Sequence, residues 1–221
     1  RARGIKFLPN AVTDESGASF SALARQCVAQ GLAGLEWAIG IPGSVGGAVV
    51  GNAGAWGGDV ASRLLQASLY VPPGEVVEWS ADRFQYAYRS SILKHASVPG
   101  EQRGTVLAAG FELRSAEVEQ LQEKVKLITA RRTASQPRGA TCGSIFKNPP
   151  GDYAGRLIEA AGLKGYRVGD AEISAVHANF VVNQGSARAA EVMSLIELAR
   201  NTVDAEFGIP LETEIELIGQ W

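Results

Sequence analysis

Three features of this 221-residue sequence predict an α+β fold: an antiparallel sheet with flanking helices, followed by a smaller α/β domain. Residues 64–71 and 75–79 flank Pro72-Pro73-Gly74, which reads as a β-hairpin. From Ala116 onward helical stripes alternate with short strands, so a boundary is placed there, giving domains 1–115 and 116–221. The third feature is the stretch 34–58, in which nine of twenty-five residues are glycine.

Residues 1–17 read as irregular strand and turn. Ser19 then caps a helix that places Phe20, Leu23, Ala24, Cys27 and Val28 on one face, with Gly31 as its stop. The glycine-rich stretch follows no helical or strand period for long, so it is expected to fold as tight turns with free backbone amides. It carries Trp37, Ile39, Ile41, Val45, Val49 and Val50, which a flexible linker would lack, and so reads as a binding wall. After the hairpin come a Ser80-capped segment, the run FQYAYRSSILK and a strand over 105–113.

In the second half Val118, Leu121, Val125 and Ile128 trace a helical stripe, Arg131 and Arg132 lie near the negative end of the helix dipole, and Pro137 marks the exit. Then come strand CGSIFKN, a helix over 154–161 stopped by Gly162, strand NFVVN, a helix over 186–207 and strand LETEIELI. In the last helix Val192, Leu195, Ile196, Ala199, Val203 and Phe207 share a core face.

A net charge of −2 gives no basic field to draw nucleic acid or an anionic membrane. No apolar run approaches the roughly 20 residues of a membrane span. Two distant cysteines, Cys27 and Cys142, make neither a metal cluster nor a disulfide framework, which suits a reducing cytoplasm. No obligatory protein partner is expected. The sequence opens on Arg1 without an initiator Met, which suggests a piece of a longer product.

Three polar motifs stand out. In Tyr88-Arg89-Ser90-Ser91 an arginine beside an aromatic ring can present a planar cation to a carboxylate or phosphate, though such a residue is commonly a surface ion-pair partner. In GSIFKNP, strand alternation puts Ser144 and Asn148 on one face; a solvated strand edge has the same pattern. In LETEIEL, three carboxylates share a face that is ordinarily wet, and Glu214 becomes an acid-base candidate only if turned into a pocket. With two histidines and no clustered Cys partner a metal site is not expected; His177 reads as a hydrogen-bonded core or cap residue.

The segments GIPGSVGGAV, GNAGAWGG, YRSS, RRTASQP, GSIFKNP, AGRLIEAAGLKG, HANFVVN and FGIPLETEIELIG resemble, in this order, those of the UDP-N-acetylenolpyruvoylglucosamine reductase family. The resemblance implies the second subdomain of a type 2 FAD-binding domain over 1–115 and a substrate-binding domain over 116–221. It implies FAD as cofactor, NADPH as co-substrate and a UDP-sugar as substrate, whose enolpyruvyl group is reduced in a step of peptidoglycan synthesis. Ser144 resembles the proton donor, Arg89 the cation on the substrate carboxylate, and Glu214 the third catalytic residue. Arg89 and Glu214 are accordingly expected near Ser144. Ile41, Pro42, Gly43, Ser44, Gly46, Gly47, Asn52 and Gly54 resemble residues that wall the flavin; Tyr88 and Asn148 resemble substrate contacts.

The short link between RRTASQP and GSIFKNP resembles the subclass without an extra tyrosine-bearing loop. The family pattern also implies a small domain of about 60–100 residues ahead of Arg1, carrying another glycine-rich loop for the flavin pyrophosphate. FAD retention by this chain alone is therefore expected to be weak. Glu216 stands where the family commonly has arginine, and Cys142 where alanine is usual. Two other readings remain at this point: another flavin oxidoreductase of the same superfamily, and a non-catalytic nucleotide-sugar-binding fragment.

Overall fold

The structure, a computed structural model, describes residues 3–95 and 104–219. It forms two compact units, Arg1–Arg132 and Thr133–Trp221.

The first unit opens with hairpin β1 (Ile5–Leu8) and β2 (Ala11–Glu15), regular where irregular chain was expected. Helix α1 (Phe20–Ala29) follows, with Ser19 Oγ accepting from Ala22 N–H, and it buries all five predicted core residues. Short strand β3 (Leu32–Ala33) leads into the glycine-rich stretch. This stretch contains helix α2 (Val45–Gly51) and a small ribbon, β4 (Gly54–Ala55) with β5 (Gly58–Asp59), rather than turns alone.

The predicted hairpin is β6 (Leu64–Val71) and β7 (Glu75–Ser80). Beyond it lie the single turn α3 (Ile92–His95), strand β8 (Thr105–Glu112) and β9 (Arg114–Ser115), which pairs with β3. The main sheet has order β1-β2-β8-β6-β7 and is antiparallel throughout. Its core packs Phe20 between Trp37 and Phe111, with ring centroids 5.6 and 5.9 Å away.

Helix α4 (Val118–Ser135) is amphipathic only weakly: of its predicted stripe Leu121 is buried, while Val118, Val125 and Ile128 are half-buried. It was expected to open the second domain but belongs, up to Arg132, to the first unit. Leu121 and Val125 pack on the first core, and Lys124 Nζ reaches Glu36 at 3.6 Å.

The second unit is a four-stranded antiparallel sheet, order β10-β13-β12-β11, built from β10 (Ala140–Ser144), β11 (Arg167–Val168), β12 (Ala171–Ile173) and β13 (Phe180–Asn183). Helices α5 (Ala154–Ala160) and α6 (Ala189–Phe207) complete it. Helix α6 starts at Ala189 rather than 186 because Asp170 and Asn183 side chains hold the Ser186 and Ala187 amides outside the helix. Leu195, Ile196, Ala199 and Val203 form the core face of α6, while Phe207 is exposed. The expected strand LETEIELI is reduced to one bridge, Thr213 with Phe146.

Candidate active site

In the first unit the local geometry centres on α2. Ser44 caps it, its Oγ accepting from Gly47 N–H at 3.2 Å. The Val45 and Gly46 amides donate to Ala18 O and Ser16 O, both at 2.9 Å. The amides expected to be free at 45–47 are thus committed within the protein. A helix docked tightly on the turn after β2 engages them, so tightly that a Cβ on Gly46 would lie 2.9 Å from Ser16 Cβ.

What the glycines leave open is surface. Gly47 is exposed, and Gly43, at φ +110°, has nothing within 4 Å of where a Cβ would stand. A hollow of about 510 Å³ opens here, with Ser44, Gly46, Gly47 and Val50 on one side and Ser16 and Gly17 among its other walls. Ile41 is half-buried against the core, and Pro42 is exposed beside Gly43. A bare glycine wall over a hollow of this size suits a flat ring such as a flavin. With their donors engaged, residues 45–47 have no amides to offer a pyrophosphate.

Asn52 is placed differently from the open wall. It is buried, sits in the left-handed region at φ 45°, and ends α2. Its Nδ2–H donates to Ala87 O at 3.0 Å and its Oδ1 accepts from Ala61 N–H at 2.9 Å. The side chain is a clasp inside the unit. It fastens the loop that carries the YRSS motif.

In that loop Ala87 and Ser90 exchange both backbone hydrogen bonds at 3.1 Å, so Tyr88 and Arg89 form the apex of a tight turn. Arg89 adopts φ 55° at the third turn position, where glycine or asparagine is usual. Its guanidinium lies 5.4 Å from the centroid of the exposed Tyr88 ring. It also covers Gly54, on which a Cβ would come within 3.2 Å of Arg89 Nη1 and 2.8 Å of Gly58 O. Two further bonds tie the loop to the last turn of α2: Tyr86 OH donates to Val49 O at 2.9 Å and Ser91 Oγ–H to Val50 O at 2.6 Å.

In the second unit Ser144 ends β10 opposite Phe180, after a register shift that begins at Thr141. Gly143, at φ +84°, supplies the bend, and its amide donates to Thr141 Oγ1 at 3.2 Å. This irregularity re-aims the strand, so Ile145 and Phe146 are both buried instead of alternating. Ser144 is half-buried, and its hydroxyl has no hydrogen-bond partner among the described residues.

The chain after α6 returns alongside. Glu214 N–H donates to Ile145 O at 2.8 Å, and Lys147 N–H to Glu212 O at 2.9 Å, so Glu214 is brought to the serine's strand. The three acidic residues of LETEIEL are not equivalent. Glu212 pairs through its side chain with Lys147, Glu216 is exposed, and Glu214 is half-buried. Asn148 is exposed, and its Oδ1 accepts from Ala154 N–H at 3.1 Å, capping α5. Arg89 lies in the first unit and Ser144 and Glu214 in the second, so the fold of each unit brings together only its own members.

Sequence reading missed Asn179. It is buried in HANFVVN and bonds the Phe146 backbone through both its side-chain atoms. It also missed an apolar hollow of about 430 Å³ in the second unit, lined by Cys142, Val181, Met193, Ile196, Ile215 and Leu217 among others. Neither a side chain that pairs with backbone nor a hollow between distant segments leaves a local periodicity to read. His177 is half-buried, its Nδ1 accepting from Asn179 N–H at 3.2 Å, and burial lowers its pKa, with Lys164 adding to the effect. Among the described residues no group of three His, Cys, Asp or Glu could hold a metal, and no helix is long and apolar enough to cross a membrane.

Comparison with known proteins covers both units. Residues 8–80 match the FAD binding domain, and residues 135–218 match the C-terminal domain of UDP-N-acetylenolpyruvoylglucosamine reductase. The reductase of Chloroflexus aggregans is 53% identical over 204 residues, covering 92% of this chain and 68% of that protein. That of Rubrobacter xylanophilus is 43% identical over 218 residues, covering 99% and 71%. The crystal structure of the Thermus caldophilus reductase superposes with a TM-score of 0.81 at 37% identity, over 92% of this chain and 71% of that one. Both the glycine wall with its Arg89 turn and the Ser144 strand lie inside these matches, and the chain belongs to the UDP-N-acetylenolpyruvoylglucosamine reductase family.

Proposed function

We propose that this chain provides the substrate machinery for NADPH-dependent, FAD-mediated reduction of UDP-N-acetylglucosamine enolpyruvate to UDP-N-acetylmuramate. This is a step in peptidoglycan precursor synthesis and belongs in the cytoplasm. The observation that carries the reading is the Ser144 hydroxyl, without a hydrogen-bond partner among the described residues, on a strand re-aimed by Gly143 and flanked by Glu214.

FAD, when bound and reduced by NADPH, would supply the hydride for the terminal carbon of the enolpyruvyl double bond. Ile41, Pro42, Gly43, Ser44, Gly46 and Gly47 would wall its ring, Ser44, Gly46 and Gly47 lining the hollow, with Gly54 under Arg89; the Asn52 side chain supports the wall from within. The electron pair displaced from the double bond is delocalised into the adjacent carboxylate. Arg89 meets that carboxylate, and a fixed guanidinium stabilises the developing charge better than water that must reorganise. Ser144 Oγ–H delivers the proton to the carbon beside the carboxylate, and Glu214 holds the proton that restores the serine. Tyr88, exposed beside Arg89, and Asn148, with its Nδ2 still available, contact the substrate.

The test is anaerobic reoxidation of the reduced flavin by the enolpyruvyl substrate in the full-length protein, followed as recovery of visible absorbance. Ser144→Ala is expected to slow this reoxidation by about a thousandfold or more while leaving flavin reduction by NADPH within a factor of about two. Reoxidation at the native rate in that variant would overturn the assignment of the donor. A full-length protein that holds flavin and ignores the enolpyruvyl substrate would overturn the function.

A further inference from the structure

The position of Arg89 is fixed by side chains that are themselves remote from the chemistry. Its turn is a two-residue loop with a non-glycine residue at φ 55°, a conformation that a free loop would leave. Three side-chain hydrogen bonds of the loop end on the C-terminal half of α2 or on the residue that terminates it. Tyr86 OH and Ser91 Oγ–H donate to Val49 O and Val50 O, carbonyls of the last turn of the helix, and Asn52 Nδ2–H donates to Ala87 O. Ser91 is 1% exposed and follows the turn by two residues.

Val50 also lines the hollow over the glycine wall. Val50 therefore lines this hollow and also anchors the Arg89 loop with its carbonyl. Wall and arginine are fastened into a single piece.

We propose that Ser91, with Tyr86 and Asn52, is a positioning residue for Arg89, setting where the guanidinium meets the substrate carboxylate. This rests on the role given to Arg89 above. Ser91 is buried with its hydroxyl engaged by Val50 O, so it acts through the geometry of the turn. A displacement of the guanidinium by about 1 Å is enough to cost on the order of a hundredfold in rate.

The test uses the full-length enzyme and four variants: Ser91→Ala, Ser91→Thr, Arg89→Ala and the double Ser91→Ala/Arg89→Ala. Affinity is measured for the enolpyruvyl substrate and for UDP-N-acetylglucosamine, which lacks the carboxylate, alongside kcat and KM. Ser91→Ala is expected to weaken enolpyruvyl binding and lower kcat by about tenfold or more, to leave UDP-N-acetylglucosamine binding within about twofold, and to be rescued by Ser91→Thr. In the Arg89→Ala background the same substitution is expected to add nothing. If Ser91→Ala does not fold, Tyr86→Phe removes a single hydroxyl from the same clasp and carries the same comparison. Equal weakening of both ligands, or an effect that adds in full to Arg89→Ala, overturns the proposal while the reading of Arg89 stands. An Arg89→Ala enzyme with native affinity and rate overturns the role of Arg89 itself, and the proposal with it.

Discussion

Asn179 and Phe146 are joined in both directions: Phe146 N–H donates to Asn179 Oδ1 at 2.9 Å, and Asn179 Nδ2–H donates to Phe146 O at 2.8 Å. The Ile145 amide donates to Asn179 O at 2.9 Å as well. One amide side chain thus extends the strand pairing two residues past Ser144. Asn179→Ala would leave a buried N–H and a buried C=O unsatisfied, an expected loss of about 2–4 kcal/mol. Urea unfolding measures it; a loss under about 0.5 kcal/mol would mean that water replaces the amide.

Asp14 is fully buried on β2, and neither carboxylate oxygen makes a well-formed hydrogen bond among the described residues. Desolvation raises its pKa from 3.8 to about 6, the backbone bond of Glu15 opposing and the Glu15 charge adding. A carboxyl with a raised folded pKa favours folding while protonated. Its contribution is intact below about pH 4 and is lost as the pH rises to about 6. The full difference is about 3 kcal/mol. Asp14→Ala is expected to gain on the order of 1–2 kcal/mol at pH 8, less than the whole because of the small hollow left behind. Equal stability of variant and parent at pH 8 would show that the carboxylate is stabilised by something other than protonation.

Gly58 faces Trp37 so closely that a Cβ would lie 2.3 Å from Trp37 Cδ1. Trp37 cannot retreat freely, because its Nε1–H donates to Gly34 O at 2.9 Å and its ring packs on Phe20. Gly58→Ala is expected to destabilise by about 1–3 kcal/mol and to shift tryptophan emission. Gly57→Ala offers the contrast: nothing lies within 4 Å, and only the φ of +82° opposes it, for about 1 kcal/mol. Similar melting temperatures for the two would remove the steric argument.

His177 accepts a hydrogen bond at Nδ1, which fixes the neutral ring with its proton on Nε2. Because burial depresses its pKa, its contribution to stability is complete above the ordinary value of 6.5 and declines as the pH falls below it. Nitrogen-15 NMR of the imidazole is expected to show the Nε2–H tautomer at pH 7, titrating below 6.5. A proton on Nδ1 would contradict the geometry.

The sequence showed α1, the β6–β7 hairpin and the core face of α6 because each is a local periodicity with a cap or turn at its end. It hid α2, since Gly46, Gly47 and Gly51 argue against a helix and only docking on Ser16 and Ala18 makes one. It misplaced the head of the second domain, because the stripe on α4 does not say which core it faces. Of the candidate site, Arg89, Ser144 and Glu214 are proposed from motif order. That Asn52 faces inward was not legible, since its partners Ala61 and Ala87 are fixed by folding alone.

Arg89 occupies a backbone geometry in which glycine would be at ease. On the role proposed for Arg89, the turn is a place where stability and activity pull apart: Arg89→Gly relaxes the backbone by about 1 kcal/mol while removing the guanidinium. A gene copy released from selection for catalysis would gain robustness by losing this arginine. Drift at this single codon would record when the chemistry ceased to matter.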